Sequence, residues 1–156
     1  MTTHFNPLGH ISIGVRDYHV SKAFYSATLA PLGLKLVYDS EAVARGKIPR
    51  TLGFGPNEEH ELVNIFEYGT QASPPGPGFH IAFDALSRQA VRDFYEAALR
   101  SGGTSNGEPG LRSHYGRNYY AAFVIDPDGW RLEAVCKAED ETTPSEEIAS
   151  ACTGSH

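Results

Sequence analysis

The chain has 156 residues, 40% of them hydrophobic and 21% charged, the balance of one folded domain or of two small fused halves. Its formal net charge of −6 argues against a nucleic-acid partner, and no apolar run is long enough to cross a membrane. Neither cysteine, Cys136 or Cys152, belongs to a C-x-x-C pair. A thiolate zinc site and a disulfide framework therefore both lack support, and a reducing cytoplasm is the expected setting.

The first ten residues, MTTHFNPLGH, show no basic region followed by an apolar stretch, so no secretory signal is expected. From His10 the chain alternates: His10, Ser12 and Gly14 fall on one side, and Ile11, Ile13 and Val15 on the other. That pattern predicts a half-buried strand with its histidine on the less apolar face. Asp17 or Ser21 can then cap a helix in which Phe24, Leu29 and Leu32 recur at roughly helical spacing. Three strands follow, LKLVYD, RTLGFG and ELVNIFEY, and then GTQASPPGPG, a proline- and glycine-rich linker over residues 69–78.

The chain then begins again. Shifted by seventy, His10 meets His80, Ile11 meets Ile81, Phe24–Tyr25 meet Phe94–Tyr95, and Ala27, Leu29 and Gly33 meet Ala97, Leu99 and Gly103. We read two copies of one unit, over about residues 8–68 and 79–136. In the second copy Ser87 can cap a helix whose Val91, Phe94, Tyr95, Ala98 and Leu99 form one apolar stripe ending at Gly102 and Gly103. A weak strand near residues 107–116 precedes YYAAFVI and WRLEAVC, and DPDG between those two is a tight-turn signature. Both Phe–Tyr pairs are read as core packing, and His4, His19, His60 and His156 as surface residues. Beyond Cys136, residues 137–156 hold five acids and one lysine, so that −4 of the total charge sits in a segment expected to be solvated and poorly ordered.

Each unit is thus strand, helix, strand, strand, strand, an α+β arrangement with helices on one face of a curved sheet. Two such sheets side by side would leave a concave cleft lined by the faces opposite the helices. In the last strand Leu132 and Ala134 supply the helix-facing side, and Glu133 alternates to the other side with Arg131 and Val135. Two imidazoles, His10 and His80, and the Glu133 carboxylate can then point into one cavity. That donor set suits a divalent first-row metal and leaves positions open for water and substrate.

The segments HISIGVRDYHVSKAFY, FHIAF and YYAAFVIDPDGWRLEAV resemble the vicinal oxygen chelate superfamily, the glyoxalase, bleomycin-resistance and extradiol-dioxygenase group, over about residues 8–136. The resemblance implies paired βαβββ units in a curved, half-open mixed-sheet barrel with helices outside. It implies metal ligands at His10, His80 and Glu133, with Glu133 the catalytic carboxylate, and one Fe, Mn, Ni, Co or Zn ion. Glyoxalase I enzymes usually add a fourth ligand, a Glu, from the last strand of the first unit. Here the matching positions fall at 62–64, with no acid among them, and Glu61 and Glu67 flank it. Three protein ligands are therefore expected. A small substrate presenting two adjacent oxygens is expected; Tyr119, Tyr120, Arg112, His114 and Arg117 lie near the second unit's loop, and from among them Tyr120, Arg112, His114 and Arg117 are its expected contacts. The alternative is a metal-free binding protein of the bleomycin-resistance kind. A homodimer is open, with units paired within a chain or exchanged between chains.

Overall fold

A computed structural model describes residues 6–140. Expectations for His4, Cys152, His156 and the acidic segment beyond residue 140 lie outside the described residues. The first unit runs β1 (Ile11–Val15), α1 (Tyr18–Leu29), β2 (Lys35–Asp39), a short α2 (Ser40–Val43), β3 (Thr51–Gly55) and β4 (Val63–Glu67). The second runs β5 (Ile81–Asp84), α3 (Arg88–Arg100), β6 (Thr104–Leu111), β7 (Tyr120–Ile125) and β8 (Arg131–Cys136). The repeat read from sequence is therefore a repeat of structure.

Both sheets have one topology, β1-β4-β3-β2 and β5-β8-β7-β6, in which the first strand lies parallel to the last and the rest are antiparallel. Asp17 caps α1 by accepting from the Val20 amide, and Ser87 caps α3 by accepting from the Ala90 amide. Ser21, the other candidate cap of α1, is instead buried inside that helix. The second strand of the second unit, β6, starts earlier than its weak signal suggested, at Thr104, because the turn after α3 closes through Gly102 at φ 100°.

One core joins the two units. Phe24, Tyr25, Leu29, Phe54, Phe94 and Leu132 are all fully buried, and each apolar side chain of that size contributes about 2–3 kcal/mol by leaving water. Helix α1 packs on α3, and an added Cβ at Gly103 would stand 2.8 Å from the Phe24 ring. The β7–β8 turn seats on the end of β1: the Trp130 indole N–H donates to the Gly14 carbonyl at 2.8 Å, and the Arg16 amide donates to Asp128 at 3.1 Å.

A second tie crosses the first unit. Arg50 Nε and Nη2 donate to the two Glu67 oxygens at 2.9 and 2.8 Å, and the Tyr18 amide donates to Oε2 at 2.7 Å. The Arg50 hydrogen bonds hold the Glu67 carboxyl below its ordinary range. A depressed carboxyl contributes stability above the ordinary range and loses it as pH falls through the folded value. Glu67→Gln is accordingly expected to lower the urea midpoint at pH 7, and to converge with the parent once the medium is acid enough to protonate Glu67. Parallel urea titrations at the two pH values check this.

Candidate functional site

The face of each sheet opposite the helices is set by alternation. On β8, Leu132 and Ala134 pack into the core, and Glu133 takes the other side. Its neighbour across the ladder on β7 is Phe123, and its parallel neighbour on β5 is Ala82. His80 lies just ahead of β5, one diagonal step away, and its Nε2 stands 2.9 Å from Glu133 Oε2. The His80 side chain is 50% exposed, whereas Glu133 is 2% exposed.

The other carboxylate oxygen, Oε1, accepts from the Tyr119 hydroxyl. Burial, and then the carboxylate beside it, push the Tyr119 phenol up to about 12, so at neutral pH it is a donor. No lysine or arginine forms an ion pair with Glu133 among the described residues. A carboxylate this buried, beside an imidazole and a phenol but without a permanent cation, is a donor set that a divalent ion would satisfy.

Arg112 is positioned over the same face. Its guanidinium lies 5.5 Å from the Phe123 ring centre and donates to the Glu108 carbonyl at 2.7 Å. Room for it comes from Gly107 and Gly110, where an added Cβ would stand 3.3 and 3.2 Å from Arg112 nitrogens. His114 packs on Tyr115 at 4.1 Å between ring centres, and Tyr115 on Tyr119 at 5.3 Å, so an aromatic run leads from the exposed loop to Glu133. Arg117 is exposed in that loop.

Tyr120 does not join this group. It lies on the helix-facing side of β7, where its hydroxyl accepts from Arg92 of α3 at 3.1 Å and its ring carries Arg88 and Arg92 at 5.1 and 5.7 Å. The residue that reaches Glu133 is its neighbour Tyr119. Counting back by twos from Phe123, the ladder partner of Glu133, through Ala121 gives Tyr119, so the parity of the strand held this signal.

His10 stands exposed just ahead of β1. Among the described residues no three His, Cys, Asp or Glu side chains converge to hold a metal, so one chain brings together His80 and Glu133 but not His10. The repeat shows what surrounds His10. Ser12 pairs with Asn64 as Ala82 pairs with Glu133, so Asn64 is the first unit's counterpart of Glu133 and sits on the same diagonal from His10. Its Oδ1 is buried without a hydrogen-bond partner. The outward faces of β1 and β5 are open, with Ser12, Ala82 and Asp84 exposed.

Fold and site together define a doubled βαβββ protein that presents an imidazole–carboxylate pair on an open sheet face. The chain belongs to the Glyoxalase/Bleomycin resistance protein/Dioxygenase superfamily, whose model matches residues 7–134. It is 30% identical over 128 residues to a lactoylglutathione lyase of Salmonella typhimurium, covering 81% of this chain and 89% of the relative. A glyoxalase/bleomycin resistance protein from Albidiferax ferrireducens superposes with a TM-score of 0.66 at 29% identity, over 82% of this chain and 97% of the other. The fosfomycin resistance protein FosX of Listeria monocytogenes, at 17% identity and a TM-score of 0.58, shares the fold over 85% of this chain and 93% of its own. No helix among the described residues is long and apolar enough to cross a membrane.

Proposed function

We propose that this protein is a divalent-metal-dependent enzyme of the glyoxalase kind, a lyase or isomerase acting on a small oxygenated substrate, with the metal held by His10, His80 and Glu133. The observation that carries the reading is the buried Glu133 carboxylate, 2.9 Å from His80, with no permanent cation beside it. The likeness to lactoylglutathione lyases supports lyase or isomerase chemistry over oxygen insertion.

In this proposal the centre forms where two copies meet, with His80 and Glu133 from one chain and His10 of the partner subunit. Support comes from the exposure of His10, its separation from the pair within one chain, and the open faces of β1 and β5. A twofold axis then gives two identical sites per dimer. A soluble dimer in the cytoplasm, free of nucleic acid and membrane, fits the charge and composition.

When bound, the ion supplies Lewis-acid polarisation of a substrate oxygen. Tyr119 fixes the Glu133 carboxylate by holding Oε1 and leaving Oε2 on the His80 side. Arg112, held over Phe123, offsets negative charge on the substrate, and His114 and Arg117 line the entrance from the loop. Tyr120, packed on α3, acts only through that strand.

Elemental analysis of the purified protein tests this. About one divalent ion per chain is expected for the wild type, and little for His80→Ala or Glu133→Ala. Equal metal content in all three overturns the reading. The metal-free alternative draws on Tyr119 and His80 already occupying both carboxylate oxygens. Wild type free of metal, yet still binding a catechol or diol in a substrate screen, would establish it.

A further inference from the structure

On their helix-facing sides the two units carry the same cluster with its parts exchanged. In the first, the Tyr18 ring carries two cations, the Arg50 guanidinium 4.7 Å and the Lys22 ammonium 5.8 Å from its centre. In the second, the Tyr120 ring carries Arg88 and Arg92. The positions correspond. Tyr18 and Arg88 open their helices, and Lys22 and Arg92 follow one turn on. Gly53 pairs with Asn64 as Phe123 pairs with Glu133, which sets Arg50 at the place of Tyr120 and Glu67 at that of Cys136. Ring and cation have changed places, and two positive charges on one ring remain.

What differs is the carboxylate. The first unit supplies one for each cation: Glu67 takes Arg50 through both oxygens, and Asp39 takes Lys22 at 2.8 Å. Glu67 Oε2 also accepts from the amide of Tyr18. In the second unit Cys136 stands at the place of Glu67 and brings no charge. A cavity of about 190 Å³ lies there, its lining including Ser87, Arg88, Gln89, Arg92, Cys136 and Asp140. Arg88 Nε is buried without a hydrogen-bond partner. Asp140, beyond the end of β8, reaches only Nη1 of Arg88, at 3.1 Å, and Arg92 forms no ion pair among the described residues. Glu139 also lines the cavity but is exposed.

We propose that this cavity binds a small oxyanion, a carboxylate or a phosphate, whose oxygens take the place that the Glu67 carboxylate holds in the first unit. Arg88 and Arg92 supply charge-assisted donors, and the Arg88 amide stands where the Tyr18 amide stands. Asp140 is the internal competitor, because it and the ligand share Arg88. The site lies on the helix-facing side of β7 and β8, away from Glu133, and stands independently of the metal-dependent reading.

The test is an NMR titration of the full-length ¹⁵N-labelled protein with sodium phosphate and, separately, sodium acetate, each exchanged for chloride at constant ionic strength. The Cys136 amide is the reporter in every protein. A saturable shift with at least one anion is expected, and the anion that saturates distinguishes phosphate from carboxylate. Arg88→Gln and Arg92→Gln are each expected to weaken binding by about tenfold or more, as when a charge-assisted hydrogen bond is lost. Arg92 is exposed, so its variant reports even where Arg88→Gln does not fold. Asp140→Asn is expected to strengthen binding by about twofold to fivefold, by removing the competing carboxylate. A packing role alone gives no such gain.

Shifts that stay linear in both anions overturn the inference. So does an Arg92→Gln protein that binds as the parent does, or an Asp140→Asn protein that binds no more tightly.

Discussion

Mixing two inactive variants, His10→Ala and Glu133→Ala, is expected to restore about a quarter of wild-type metal content and activity, if the site is shared across a twofold dimer. Each variant alone lacks a donor in both of its sites. In a mixed dimer both lesions fall in one site, and the other receives His10 from the Glu133→Ala chain and Glu133 from the His10→Ala chain. Random reassociation makes about half of the dimers mixed, and each of those carries one intact site of two. Co-expression with two affinity tags isolates the mixed dimer, in which half of the wild-type value is the expectation. A mixture that stays as inactive as its components would place the centre within a single chain. His80→Ala with Glu133→Ala serves as the control: those two donors come from one chain, and in the mixed dimer each site then lacks one of them, so no recovery is expected.

The sequence carried much of this because the informative signals were local or repeated. The seventy-residue offset marked His10 and His80 without any alignment, and alternation around Leu132 and Ala134 put Glu133 on the face opposite the helices. DPDG marked the β7–β8 turn. What the sequence could not settle depended on long-range pairing. Residues 61–68 hold two acids and an asparagine, and only the ladder between Ser12 and Asn64 decides which one matches Glu133. The course of Glu61 over β3 depends on missing Cβ atoms in another strand, which no pattern within residues 61–68 announces. Tyr119 and Tyr120 differ by one position, and one position in a strand reverses the face. The four-residue α2 is too short to show a helical period.

The largest stability effect is expected at Asp126, which opens the DPDG turn and is 4% exposed. Its Oδ1 accepts from the amides of Asp128, Gly129 and Trp130 at 2.9, 2.8 and 2.7 Å, and its Oδ2 accepts from the fully buried Tyr25 hydroxyl at 2.6 Å. One side chain thus builds the hairpin and ties it to α1 of the other unit. Asp126→Ala is expected to cost about 3–5 kcal/mol, since it strands the turn amides and the buried phenol together. Tyr25→Phe removes one partner and is expected to cost about 1–3 kcal/mol at pH 7, because Oδ2 is then buried without a donor. The two differ in their response to acid. Burial raises the Asp126 carboxyl above its ordinary range, opposed first by the Tyr25 hydrogen bond. A raised carboxyl takes up its proton in the folded state first, so stability is gained as pH falls through the raised value. Tyr25→Phe raises it further, and its penalty is therefore expected to shrink between pH 7 and mildly acid conditions. The Asp126→Ala protein has no carboxyl to protonate there, so the parent gains on it over the same interval and its deficit is expected to grow. Urea unfolding of the three proteins at both pH values measures this, and a Tyr25→Phe penalty independent of pH would mean that the buried hydroxyl does not govern the charge of Asp126.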